Sequence, residues 1–232
     1  MPVWRSAGQL LTEAAIAGNL PAMSASYPNP AHRLPTDTDD GMLLIISGPS
    51  GVGKTSVTRG VERSIPDAVF SVSMTTRAKT AADVEGVDYH FVDDAAFEQM
   101  RAEGGFLENA GIYGKKYGTP RAWVEEQLRR GRLVILEIDV QGAEQVKAKM
   151  PRAYSLYILP PSEDVLLQRL RDRRRDDEAT IKRRFTQSKA EIEHARECGV
   201  YDRFLVNQDL AATIAEAVKL VTQERARRRA GR

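Results

Sequence analysis

Apolar residues in this chain gather into short, nearly unbroken runs, separated by longer stretches in which they recur at helical spacing. Leu43, Leu44, Ile45 and Ile46 form one run directly before a glycine-rich turn; Leu133 to Ile138, interrupted only by Glu137, and Tyr154 to Leu159, interrupted only by Ser155, form two more. A run with no polar alternation predicts a strand covered on both faces. Shorter strands are expected at Val69 to Ser73, Asp88 to Val92 and Phe204 to Val206. Helices are expected between them: Thr55 to Ser64, closed by Pro66; Asp94 to Glu103, capped by Asp93 and stopped by Gly104 and Gly105; and Pro120 to Arg130. Further helices are expected over Ala143 to Lys149, from Ser162 to about Arg174, from about Ala179 to Arg196, and from Leu210 to about Arg228. Strands that alternate with helices predict an α/β fold with a mainly parallel sheet. Phe106 to Gly118 breaks the alternation with aromatic residues and internal glycines, so it reads as a hairpin in an inserted lobe.

The pattern starts near Met42. Before it, Pro21, Pro28, Pro30 and Pro35 stand among Ser, Asn, Thr and Asp, so residues 1–40 read as a flexible N-terminal extension. Of the 232 residues, 42% are hydrophobic and 28% charged, a globular rather than disordered balance. The net charge of +2 gives no reason to expect nucleic acid. No apolar run is long enough to cross a bilayer, and no obligatory protein partner is evident. A single cysteine, Cys198, excludes an internal disulfide and fits a reducing, cytoplasmic setting. His194 lies one helical turn from it, but with no further support the expected state is an inert thiol, and the spacing of Cys and His shows no metal-type cluster.

Chemistry enters at Gly48-Pro49-Ser50-Gly51-Val52-Gly53-Lys54-Thr55. This run matches G-x-x-x-x-G-K-[ST] in full and sits where that motif must sit, after a buried strand and before a helix. Its glycines let main-chain N–H groups converge on phosphate oxygens, and the helix start adds positive potential. Lys54 is expected at the β- and γ-phosphates of a nucleoside triphosphate, and the Thr55 hydroxyl on Mg²⁺. Glu137 and Asp139 close a second apolar strand. Residues two apart share a strand face, so both carboxylates are expected to point into the crevice at the sheet edge, holding Mg²⁺ through water or accepting from a substrate base.

With these residues in place, the chain resembles the guanylate kinases. The resemblance rests on Ile45 to Thr55, Phe70 to Arg77, Gly86 to Val92, Tyr117 to Pro120, Leu136 to Gly142 and Pro160 to Ser162, in that order, and spans about residues 42–225. It implies a P-loop NTPase core (41–72, 122–162 and 191–225), an inserted GMP-binding lobe (73–121), a mobile helical lid (163–190) and a basic tail (226–232). It implies ATP and GMP as substrates and Mg²⁺ as cofactor. Guanine is read by residues matching Ser73, Glu108 and Thr119, and the GMP phosphate is held by those matching Arg77, Tyr89 and Tyr117. By the same resemblance Arg169, Arg173 and Arg184 of the lid are expected to converge on the transferring phosphoryl group, and Asn207 matches a residue near the adenine.

The chain departs from the family pattern beside Arg77. The family's second phosphate-binding arginine is Thr80 here, its usual Gly-Glu is Ala82-Asp83, and a lid glycine is Arg174. Lys79 is expected to supply part of the missing charge. Two other readings share the phosphate loop. A kinase of a phosphorylated sugar, such as ribose 1,5-bisphosphate, would not need Ser73, Glu108 and Thr119; a non-catalytic protein-binding module would not need Lys54, Thr55 and the lid arginines.

Overall fold

The computed structural model of the protein describes residues 41–112, 114–172 and 177–231. The expected extension over 1–40, Arg173, Arg174 and the final residue lie outside the described residues. In chain order the elements are β1 (Met42–Ser47), α1 (Lys54–Ser64), β2 (Ala68–Phe70), β3 (Met74–Thr75), β4 (His90–Phe91) and α2 (Asp94–Ala102). They continue with β5 (Phe106–Ile112), β6 (Lys115–Pro120), α3 (Arg121–Arg129), β7 (Leu133–Glu137), α4 (Val140–Lys149) and β8 (Tyr154–Leu159). The last four are α5 (Glu163–Asp172), α6 (Glu178–Glu197), β9 (Arg203–Val206) and α7 (Leu210–Ala230).

The core sheet has the order β2-β7-β1-β8-β9, every pair parallel. Strand β1 lies at its centre with all six residues buried. Its side chains divide between the two faces with period two. Met42, Leu44 and Ile46 pack with Val57 and Val61 of α1 and Ala217 and Val221 of α7. Leu43 and Ile45 pack on the other face with Val124 of α3 and Ala143 and Val146 of α4. This two-sided burial is why the run shows no polar alternation. It also brings the loops that follow β1 and β7 to one edge of the sheet.

A second sheet, β4-β3-β6-β5, forms the inserted lobe. β5 and β6 make the expected antiparallel hairpin, with a register shift between Phe106 and Asn109. Helix α2 covers it through Phe97, whose ring stacks on Phe106 at 4.6 Å. The lobe is tied to the core through α4: Gln145 exchanges hydrogen bonds with the Asn109 backbone, and Lys149 Nζ donates to the Phe106 and Leu107 carbonyls.

Four expectations change. The strand expected over 69–73 ends at Phe70, because the chain leaves the core sheet and Ser73 already accepts from His90 N in the lobe. Helix α4 starts at Val140 rather than Ala143, because Asp139 caps it by accepting from Gly142 N at 2.8 Å. Asp139 therefore stands beyond the end of β7 instead of sharing a strand face with Glu137. The boundary expected between the last helix and the basic tail moves to Ala230, and within α7 Arg228 donates to Glu224 and to the Arg152 carbonyl.

Candidate active site

A cleft of about 580 Å³ opens at the C-terminal ends of β1 and β7. Its floor is the loop from Gly48 to Thr55, with Glu137 and Asp139 on one wall and α6 on the other. A larger groove of about 740 Å³ lies at the opposite sheet edge, beside Tyr154 and Arg203 where β8 and β9 begin. Size does not pick the site, since only the smaller cleft holds the phosphate loop.

The loop is held from behind. Gly53 has φ 92°, the left-handed region, and a Cβ on it would lie 2.7 Å from Asn207 Nδ2. Asn207 is buried; its amide donates to the Val52 carbonyl at 2.7 Å and its oxygen accepts from Thr213. Arg169 donates to the same Val52 carbonyl at 3.3 Å and to the Asn207 carbonyl at 2.9 Å. These two side chains brace the loop from behind and are not among the residues that line the cleft. On the open side α1 starts at Lys54 with no side chain capping its first N–H groups. Lys54 Nζ donates to the Gly48 carbonyl at 2.8 Å, and Thr55 Oγ1 donates to Glu137 Oε1 at 2.7 Å. A hydroxyl and a carboxylate in contact at the end of a phosphate loop are hard oxygen donors suited to Mg²⁺.

Helix α6 contributes Arg184, expected from the family resemblance, and three residues that sequence reasoning missed. Arg184, Gln187, Ser188 and Glu191 all line the cleft. Their spacing of i, i+3, i+4 and i+7 marks one helix face, a signal available in the sequence. Burial raises the Glu191 carboxyl above its ordinary value, opposed by the charge of Lys54. Of the expected lid arginines, Arg184 reaches the cleft wall.

In the lobe, Glu108 and Thr119 are both buried and joined by a 2.5 Å bond from Thr119 Oγ1 to Glu108 Oε1. Burial raises the Glu108 carboxyl to about 7; the Thr119 bond opposes the rise and the charge of Asp139 adds to it. Gly142 of α4 permits this approach, since a Cβ there would stand 3.1 Å from Glu108 Oε2. Ser73 is half-buried at the start of β3.

Tyr89 and Tyr117 meet edge to face at 5.6 Å, with the Arg77 guanidinium 5.3 Å from the Tyr89 ring centre. Burial raises the Tyr89 hydroxyl, Tyr117 adds to the rise, and the charge of Arg77 opposes it. Arg77 forms a two-pronged pair with Asp83 at 2.8 and 2.9 Å. Asp83 also accepts from Thr80 N at 2.7 Å and Thr80 Oγ1 at 2.6 Å, so Arg77 and Thr80 hold its carboxyl well below the usual range. The two departures from the family pattern are therefore partners: the shorter acid at 83 is held by the threonine at 80. Lys79 is exposed and takes no part in that set of bonds.

A family model described as guanylate kinase matches residues 40–224. The guanylate kinase of Anaeromyxobacter dehalogenans is 46% identical over 188 residues, covering 81% of this chain and 82% of that protein. That of Coxiella burnetii is 44% identical over 186 residues, 80% and 89% of the two chains. Among solved structures, the crystal structure of guanylate kinase from Anaplasma phagocytophilum aligns with a TM-score of 0.64 at 32% identity, covering 80% of this chain and 87% of that one.

Proposed function

The chain belongs to the guanylate kinase family and transfers the γ-phosphoryl group of ATP to GMP, and we propose that the residues of this cleft and lobe carry the transfer. Gly48 to Thr55 would take the ATP phosphates on main-chain N–H groups, with Lys54 leaving the Gly48 carbonyl for the β- and γ-phosphates. Glu108 and Thr119, with Ser73, would read guanine. A charged carboxylate accepts from N1–H and the exocyclic amine, a donor pair that adenine lacks, and a buried polar group left unmatched rejects the wrong base strongly. Arg77, Tyr89 and Tyr117 would hold the GMP phosphate. Asp83 already pairs with both terminal nitrogens of Arg77, so the phosphate would either displace that carboxylate or share the guanidinium with it.

With both nucleotides bound, a GMP phosphate oxygen attacks the γ-phosphorus in line and ADP leaves, with no covalent intermediate on the protein. Lys54 and Arg184 stabilise the spreading charge at the phosphoryl group, and Arg173 is assigned the same role from the family resemblance. Asn207 and Arg169 act one step back, by fixing the Val52 carbonyl and so the loop. Thr55 and Glu137 would hold Mg²⁺, with Asp139 reaching it through water. The ion neutralises charge on the β- and γ-phosphates when bound. Residues 163–190 would close over the site and exclude water. No described helix is long and apolar enough to cross a membrane, and a cytoplasmic setting is part of the proposal.

The buried Glu108–Thr119 pair carries this reading, since neither a sugar-phosphate kinase nor a non-catalytic module has use for it. The test is steady-state kinetics with ATP and either GMP or AMP. Glu108→Gln replaces an acceptor oxygen with a donor, so kcat/KM for GMP should fall by about 100-fold or more while the preference for GMP over AMP narrows. An unchanged preference contradicts the assignment.

A further inference from the structure

The far end of α6, beyond the cleft, carries a second group of reactive side chains. His194 Nε2 lies 3.0 Å from Glu144 Oε1 of α4, across 50 residues of sequence. Cys198 caps α6 one turn after His194. One donor atom from each of the three residues falls within 4.8 Å of the others. None of them has a part in the phosphoryl transfer. The sequence shows only a His-x-x-x-Cys pair; the third donor arrives through packing of α6 on α4.

We propose that Glu144, His194 and Cys198 form a Zn²⁺-type site that ties the C-terminal end of α6 to α4. The donor set is one carboxylate oxygen, one imidazole nitrogen and one thiolate. A thiolate and an imidazole suit Zn²⁺ and disfavour Mg²⁺ or Ca²⁺, which take oxygen ligands. Three protein ligands plus a water complete a tetrahedral ion. Donor atoms on such an ion stand about 3.3–3.8 Å apart, given bonds of about 2.0–2.3 Å. The histidine and carboxylate must open by a few tenths of an ångström and the sulfur must turn inward. It gives up only a long 3.5 Å contact to the Ala195 carbonyl. Val140, Tyr157 and Ala195 form an apolar cluster against which Cys198 packs, while Glu144 and His194 are 39% and 51% exposed, which leaves an open path for the ion and its water. Binding releases the thiol proton to solvent. Because α6 also carries Arg184 and Glu191 into the cleft, the site anchors the helix that forms one catalytic wall.

The test uses the full chain, freed of metal by chelation and without nucleotide, titrated with Co²⁺ and then Zn²⁺. One Co²⁺ per chain should give a sulfur-to-cobalt charge-transfer band, which Zn²⁺ abolishes. A metal ion at Thr55 and Glu137 has no sulfur ligand and gives no such band. Cys198→Ser should remove the band, and His194→Gln and Glu144→Gln should weaken binding by about 10–100-fold or more, since even residues that merely orient a ligand are worth that much. Zn²⁺ should raise the thermal midpoint of the wild-type chain and not that of Cys198→Ser. His194→Gln, at an exposed position, repeats the comparison if the serine variant folds poorly, and its ATP:GMP activity in metal-depleted Mg²⁺ buffer should match wild type. No charge-transfer band, or an equal Zn²⁺ shift in the variants, overturns the proposal and leaves an ordinary His194–Glu144 ion pair.

Discussion

Glu108 couples recognition to protonation. Its carboxyl is raised from 4.5 to about 7, chiefly by burial, so the folded protein holds this proton more tightly than the unfolded chain. The stability this contributes is fully present below about 4.5 and is lost as pH rises through about 7, a change on the order of 3 kcal/mol. Guanine's donors favour the charged form, so binding GMP works against burial and expels the proton. In a profile of kcat/KM for GMP, activity should climb with pH to a break near 7 and then level. The GMP phosphate itself ionises near about 6, and Glu108→Gln should retain that break alone. Superimposable profiles would exclude Glu108 as the titrating group. At this scale the sequence named Glu108, Thr119, Arg77 and Tyr89 through resemblance, but not their states. Asp83 was visible as a departure from the family; that it grips Arg77 and Thr80 depends on the fold of an irregular segment with no periodicity to read.

The elements that place these side chains were largely legible. β1, β7 and β8 are mostly apolar along their length because each is covered on both faces. Asp93 caps α2 as its position before the helix suggested. The start of α4 was misjudged because Asp139 is read equally well as a strand end or a cap, and only the bond to Gly142 N decides. Apart from Arg184, the cleft face of α6 escaped notice because its polar spacing resembles a solvated surface. Helix α4 offers a sharp test, since Gly142 lies inside it without a left-handed φ. Helix propensity alone favours Gly142→Ala by about 1 kcal/mol. The added Cβ, however, meets Glu108 Oε2 at 3.1 Å and Asp139 Oδ1 at 3.4 Å. The expected outcome is unchanged or higher thermal stability with KM for GMP raised several-fold and KM for ATP unaffected. Parallel rises in both KM values would mean that α4 does not act through the guanine pocket.

Across the molecule, the two nucleotide sites depend on a core whose ends are fastened by contacts remote in sequence. Asp67, just before β2, forms a buried two-pronged pair with Arg225 near the end of α7. Removing one partner of a buried pair is costly because the other charge keeps its desolvation penalty. Asp67→Ala should therefore lower unfolding free energy in urea by about 3 kcal/mol or more, with KM for GMP unchanged. A loss under about 1 kcal/mol would show the pair to be dispensable. No pattern in the chain joins residue 67 to residue 225; that contact exists only once α7 lies across the face of α1 and the sheet. The lobe is fastened separately, through Gln145 and Lys149 of α4. The most direct measurement is a crystal structure with GMP and ADP bound together. The guanine N1–H and amino group should lie about 3 Å from the Glu108 carboxylate, with the GMP phosphate at Arg77, Tyr89 and Tyr117 and the ADP β-phosphate on the Gly48–Thr55 loop. A guanine edge turned to solvent, or bound by other side chains, would contradict the account.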